Sequence, residues 1–86
     1  MTDTRKRVYD ILNEEREYQD EKWGGSIHDK SHTLGEWLLF IRKYLNDAEN
    51  AMYDGDEEAA KNAIRKITAL GIASMEVINV PKRSEL

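Results

Sequence analysis

From Ile67 to Val80 the chain is apolar on nearly every side of a helix, interrupted by Thr68, Ser74, Glu76 and Asn79. A helix that is apolar all round has to be covered all round. In 86 residues, two further helices supply little cover, and a single core is only marginally stabilising. The pattern therefore predicts self-association, with the small residues Ala69, Gly71, Ala73 and Ser74 allowing close helix approach. A fully internal central helix is the alternative. The expected fold is all-α, a three-helix bundle or a helical hairpin with an extended first helix, completed by homo-oligomerisation. Residues 1–80 form one helical domain, and the polar tail 81–86 is flexible.

The other two helices follow from spacing and caps. The first starts at Thr2 or Asp3, either of which can cap it, and runs to about Lys22 before Gly24 and Gly25 end it. Its apolar stripe of Val8, Ile11 and Leu12 continues at helical spacing into Glu15, Tyr18, Gln19 and Lys22. Buried polar groups are costly without partners, so this half either borders a pocket or edges out into water. Residues 23–32 connect to a second helix that opens with Thr33 and Glu36 in capping-box spacing. Its broad apolar face runs from Trp37, Leu38, Phe40 and Ile41 through Tyr44 and Leu45 to Ala48, Ala51 and Met52. Asp54, Gly55 and Asp56 stop it and cap the third helix, expected over Glu57–Asn79 ahead of Pro81.

Composition narrows the classes. The chain has no cysteine, which removes disulfides, thiolate metal sites and cysteine nucleophiles. Thirteen basic against 17 acidic residues give a net charge of −4, which argues against a broad basic face for duplex nucleic acid. The apolar runs are too short to span a bilayer, no signal peptide opens the chain, and no basic amphipathic face suits a membrane surface. A cytoplasmic protein is expected.

Ligand-type side chains concentrate between residues 17 and 37, beside the Trp23, Gly24, Gly25 turn. Loops carry function where rigid elements hold them. Trp23, Tyr18 and Trp37 can stack on a base, with Arg16, Lys22, Lys30 or the histidines meeting phosphates. Gly24 and Gly25 let the backbone approach a ligand and donate amides. Alternatively, the two tryptophans close the core across the turn, and both roles can coexist. A metal reading uses Glu14, Glu17 and Asp20 on one helix face with His28 and His32 beyond them. Carboxylates alone suit magnesium or manganese, and histidines favour zinc, iron or nickel. The competing reading is a solvated charged face, with Glu36 occupied as a cap. No phosphate-loop or dinucleotide fingerprint and no nucleophile elbow is present, so no catalytic residue is assigned.

Glu15, Arg16, Tyr18, Gln19, Asp20, Lys22, Trp23, Gly24 and Gly25, followed by His28, Asp29, His32, Glu36 and Trp37, resemble a pattern in small helical bacteriophage and prophage proteins. The stretch from Ile67 to Glu76 is similar to their alanine-rich closing helix, so the resemblance spans roughly residues 10–78. It implies a viral origin and a site of action in the host bacterial cytosol. More remotely, the helical plan is similar to MazG-type nucleoside triphosphate pyrophosphohydrolases, which hold magnesium with an Glu-x-x-Glu pair and a later Glu-x-x-Asp pair. Glu14 and Glu17 match the first pair. Asp47 and Glu49, two apart, depart from the second. Three functions follow as expectations. The first is an accessory protein that binds and sequesters a nucleotide-like ligand, such as a host immune signal. The alternatives are a magnesium-dependent pyrophosphohydrolase and an acidic inhibitor of a host defence enzyme.

Overall fold

The computed structural model describes residues 2–25 and 29–86. Among them the secondary structure is helical: α1 (Asp3–Trp23), α2 (Leu34–Tyr53), α3 (Glu57–Val77) and a 3-10 turn at Arg83–Glu85 in the exposed tail. Each α-helix begins where a short polar side chain can satisfy an orphan amide. The Thr2 hydroxyl accepts from the Arg5 amide at 3.1 Å, and Asp56 Oδ1 accepts from the Ala59 amide at 3.1 Å. At α2 the capping box forms in both directions. Thr33 Oγ1 accepts from the Glu36 amide at 3.2 Å, and Glu36 Oε1 accepts from the Thr33 amide at 3.0 Å. Gly24, at φ 91°, closes α1 in the left-handed region, its amide donating to the Asp20 carbonyl at 2.9 Å. α3 stops at Val77, two residues short of the expected Asn79, because Ile78 turns extended (φ −112°, ψ 130°).

The helices are not equivalent partners. α2 and α3 form the tight antiparallel hairpin, and α1 lies against α3. α3 is therefore the central helix. Trp37, Leu70 and Ala73 make the buried centre of the hairpin, with Trp23, Phe40, Ile41, Tyr44, Val77 and Ile78 packed around it. Ala69 and Ala73 are almost wholly buried within one chain, so these small residues seat helices of the same protomer. Among the described residues, the buried apolar side chains larger than alanine are Leu12, Trp37 and Leu70. α3 is covered on two sides and bare on a third, where Ile64 is 61 % and Met75 59 % exposed.

α1 turns inward only part of the stripe read from its spacing, with Arg16 added to it. Leu12, Glu15, Arg16 and Gln19 are buried, whereas Val8, Tyr18 and Lys22 are exposed. The reason is electrostatic. Arg16 reaches across to α3, its Nη2 2.9 Å from Glu76 Oε2 and its Nε donating to Glu76 Oε1 at 3.2 Å. The same guanidinium donates to Gln19 Oε1 at 3.0 Å and Asp20 Oδ1 at 2.9 Å, and lies 3.5 Å from the buried Asp29. A second link runs the other way, from Arg65 Nε on α3 to the buried Glu15 Oε1 at 2.6 Å. Opposite charges exchanged between the two helices set the rotation of α1 about its axis.

Burial works against the charge on Arg16. The hydrogen bond to Glu76 and the charges of Glu76, Asp20 and Asp29 outweigh it and hold its pKa above the ordinary value. Removing one partner of such a buried set leaves the other charges uncompensated. Arg16→Ala is therefore expected to cost about 3 kcal/mol in urea unfolding. Arg16→Lys should recover little of it, because a single ammonium cannot reproduce the planar fork that meets several acceptors at once.

Candidate ligand cavity

The hairpin and the end of α1 border a half-open cavity of about 340 Å³ lined by Trp23, Asp29, His32, Trp37, Phe40, Lys43, Tyr44 and Leu70. Its size falls at the lower end of small-molecule sites, which run from about 300 Å³ upward. Four of the lining side chains come from α2 at helical spacing: Trp37, Phe40, Lys43 and Tyr44. Trp23 enters from the last residue of α1, because Gly24 ends that helix immediately after it. Leu70 forms the floor from α3, and Asp29 and His32 come from the connection.

The aromatic wall is ordered by edge-to-face contacts. The His32 ring stands nearly perpendicular to Trp37 (centroids 5.7 Å apart) and to Phe40 (4.9 Å), and Trp37 meets Phe40 at 6.0 Å. His32 Nδ1 lies 3.4 Å from Glu36 Oε2, which ties the ring to the cap of α2. Two cations sit over the Tyr44 ring: Lys43 Nζ at 4.7 Å and Lys66 Nζ at 5.9 Å from its centroid. Lys43 also lies 3.4 Å from Asp47 in an exposed pair, which contributes little and leaves the ammonium exchangeable. Trp37 is 3 % exposed, and its Nε1 has no acceptor among the described residues. Gln19 Nε2 is likewise buried without one. Such groups are uncommon in folded proteins and call for a partner.

Of the residues singled out in the sequence, the cavity brings together Trp23, Trp37 and His32. Gly24 and Gly25, at φ 91° and 69°, follow Trp23 directly and hold the left-handed turn that frees the chain from α1. Lys22 is stacked outside, its Nζ 5.4 Å from the Trp23 ring and 5.9 Å from Tyr18, which is itself exposed. Lys30 is exposed and off the lining. Arg16 is turned inward, its guanidinium engaged by carboxylates of α1, the connection and α3. Glu14 and Glu17 are exposed, and Asp20 is paired with Arg16. His28 lies outside the described residues. Among the described residues, no group of three or more histidine, aspartate or glutamate side chains is placed to hold a metal ion. Asp20, Asp29 and Glu76 do converge, but on the Arg16 guanidinium.

Asp29, Phe40, Lys43, Tyr44 and Leu70 are the lining residues that the sequence did not single out as ligand contacts. Phe40 and Tyr44 stand three and seven positions after Trp37, so one helix face carried that signal. Leu70 had none, because its place depends on the pairing of α2 with α3. Comparison with known protein families, curated proteins and solved structures finds no match to this chain.

The Glu36 carboxyl is held below its ordinary pKa of 4.5, first by the backbone amide of Thr33 and then by His32 and the Thr33 hydroxyl. A carboxylate whose folded pKa is depressed stabilises the fold above its unfolded pKa and loses that contribution as pH falls through the lower folded value. Urea midpoints of the wild type should therefore decline below about pH 4.5, the ordinary carboxyl value. Glu36→Gln should be less stable at neutral pH and show a shallower decline over the same acid range.

Proposed function

We propose that this protein binds a nucleotide-like ligand, a planar ring carrying phosphate, in the cavity between the end of α1 and the hairpin. The observation that supports this most is the pairing, in one cavity, of stackable aromatic rings with an exchangeable cation. Trp23, Phe40 and Tyr44 offer ring faces or edges, and Lys43 borders the same space. Stacking is tolerant of base identity because every base has a π-face, and a lysine ammonium meets phosphate as a point charge.

The reading is capture rather than turnover, by a homo-oligomeric accessory protein. Glu14 and Glu17, the pair that would correspond to a magnesium-holding motif, are exposed. The buried carboxylates Glu15 and Asp29 are engaged with Arg65 and Arg16, where they hold α1 in place. The resemblance of residues 10–78 to phage and prophage proteins supports setting this capture in a bacterial host, with a host signalling nucleotide as the cargo.

Calorimetric titration with nucleoside monophosphates, nucleoside triphosphates and cyclic dinucleotides, with and without magnesium, tests the reading. Binding without metal, quenching of tryptophan emission and recovery of intact ligand after denaturation are expected. Trp23→Ala and Tyr44→Ala should each weaken binding by about 1–3 kcal/mol, the usual worth of a base stack. Lys43→Ala should weaken phosphate-bearing ligands more than the free nucleosides and flatten the salt dependence. Release of pyrophosphate from added triphosphates, or no heat and no quenching with any of these compounds, would overturn it.

A further inference from the structure

Helical geometry divides α3 into three faces. Arg65, Ala69 and Glu76 lie on one, where Arg65 and Glu76 bind α1 through Glu15 and Arg16. Leu70 and Val77 lie on the second, packed with Trp37 of α2. Ile64, Gly71 and Met75 lie on the third, about 120° from each of the others at 3.6 residues per turn. On α2, Leu34, Leu38, Leu45 and Met52 form a row beside the face that carries Trp37, about 100° round from it. Their exposures are 58, 58, 48 and 59 %. In an antiparallel hairpin of right-handed helices, both rows come to the same side. That side is opposite α1 and opposite the cavity.

The α2 row steps 4, 3, 4, 3, 4 when the half-buried Ile41 and buried Ala48 are included, the spacing of a helix-pairing seam, and none of its positions is charged. Exposed apolar side chains scattered singly need no explanation, but a contiguous patch of this kind does. The face is about 30 Å long and two helices, roughly 20 Å, wide. Its flat footprint of about 600 Å² is of the same order as the 800 Å² or so that each partner contributes to a standard stable interface. The α2 row itself carries no charge, Glu57, Arg42 and Glu49 lie at its margins, and the surface of that kind present with every molecule is its own copy. A two-fold axis across the hairpin makes the patch self-complementary.

We infer that a second copy of this chain docks on the bare face of the α2–α3 hairpin, so that two hairpins pack as a four-helix layer between two outer α1 helices. This specifies the contact in the homo-oligomeric reading above and does not depend on the ligand. The cavities open on the far side of each hairpin and stay accessible in the dimer.

Gly71 provides a probe that spares the protomer. A Cβ built there meets nothing within 4 Å, so a long side chain has room in one chain but blocks close approach of two. Replacing a mid-helix glycine also raises intrinsic helix propensity, so loss of folding is not expected. Light scattering and sedimentation across a wide concentration range should give the wild type twice the 10.0 kDa of one chain. Gly71→Arg and Leu38→Glu should each give the single-chain mass with far-ultraviolet dichroism retained. Val8→Glu, on the outer side of α1, should leave the dimer intact. A wild type at single-chain mass throughout, or both interface variants keeping the doubled mass, would overturn the inference. Nucleotide titration of the same samples reads the cavity separately, since failure of ligand binding leaves these masses unchanged.

Discussion

The Arg16 guanidinium is the point through which three parts of the chain are joined. It holds Gln19 and Asp20 on its own helix, Asp29 in the connection and Glu76 near the end of α3. Charged groups in a half-dry setting gain stability only when their partners are all in place. Here the partners come from distant stretches, so satisfying one arginine fixes where α1 lies, how it is rotated and where the connection returns. Glu15 and Arg65 repeat the link with the signs exchanged. Because α1 contributes little apolar surface, this polar clasp rather than packing volume decides its seat.

The cavity follows from that seat. α1 ends at Gly24, and Trp23 is thereby delivered over the aromatic face of α2. Asp29 stands in both structures, lining the cavity while lying 3.5 Å from Arg16. The clasp thus supports the site's wall without supplying its contacts. An aromatic wall ordered by the fold suits the proposed recognition of a flat ligand, since ordering costs would then be met in folding rather than in binding.

The thin apolar interior has a further consequence. One protomer buries only Leu12, Trp37 and Leu70 among its larger described apolar side chains, while six long apolar side chains along one side of the hairpin stay about half exposed or more. Small domains with so little core gain most from association, because each added contact removes apolar surface that folding alone leaves wet. On the readings proposed above, the same hairpin would serve two purposes on opposite sides, a ligand cavity beneath α1 and an apolar seam away from it.

Helix positions and caps were legible locally. Thr2, Thr33 and Asp56 cap their helices through hydrogen bonds that reach three residues, and glycines with positive φ close α1 and the α2–α3 turn. Such interactions lie within one turn of chain, so order along the sequence is enough to define them. That Trp23 and Trp37 close the core across the turn was legible too, from aromatic residues flanking two glycines. The inward face of α1 was legible in part. Periodicity pointed to Leu12, Glu15 and Gln19, which are buried, but also to Tyr18 and Lys22, which are exposed, and Arg16 was read as a phosphate contact, because apolar spacing carries no information about an ion pair 60 residues away. In the same way, Ala69 and Ala73 read as surfaces for another chain until the pairing of α3 with both neighbours showed what they seat. The sequence by itself determined an all-α chain of three capped helices with a site-like turn after the first. Only the tertiary structure decided which charges meet, which aromatic rings enclose a common space and which apolar face is left bare, since each depends on contacts between segments far apart along the chain.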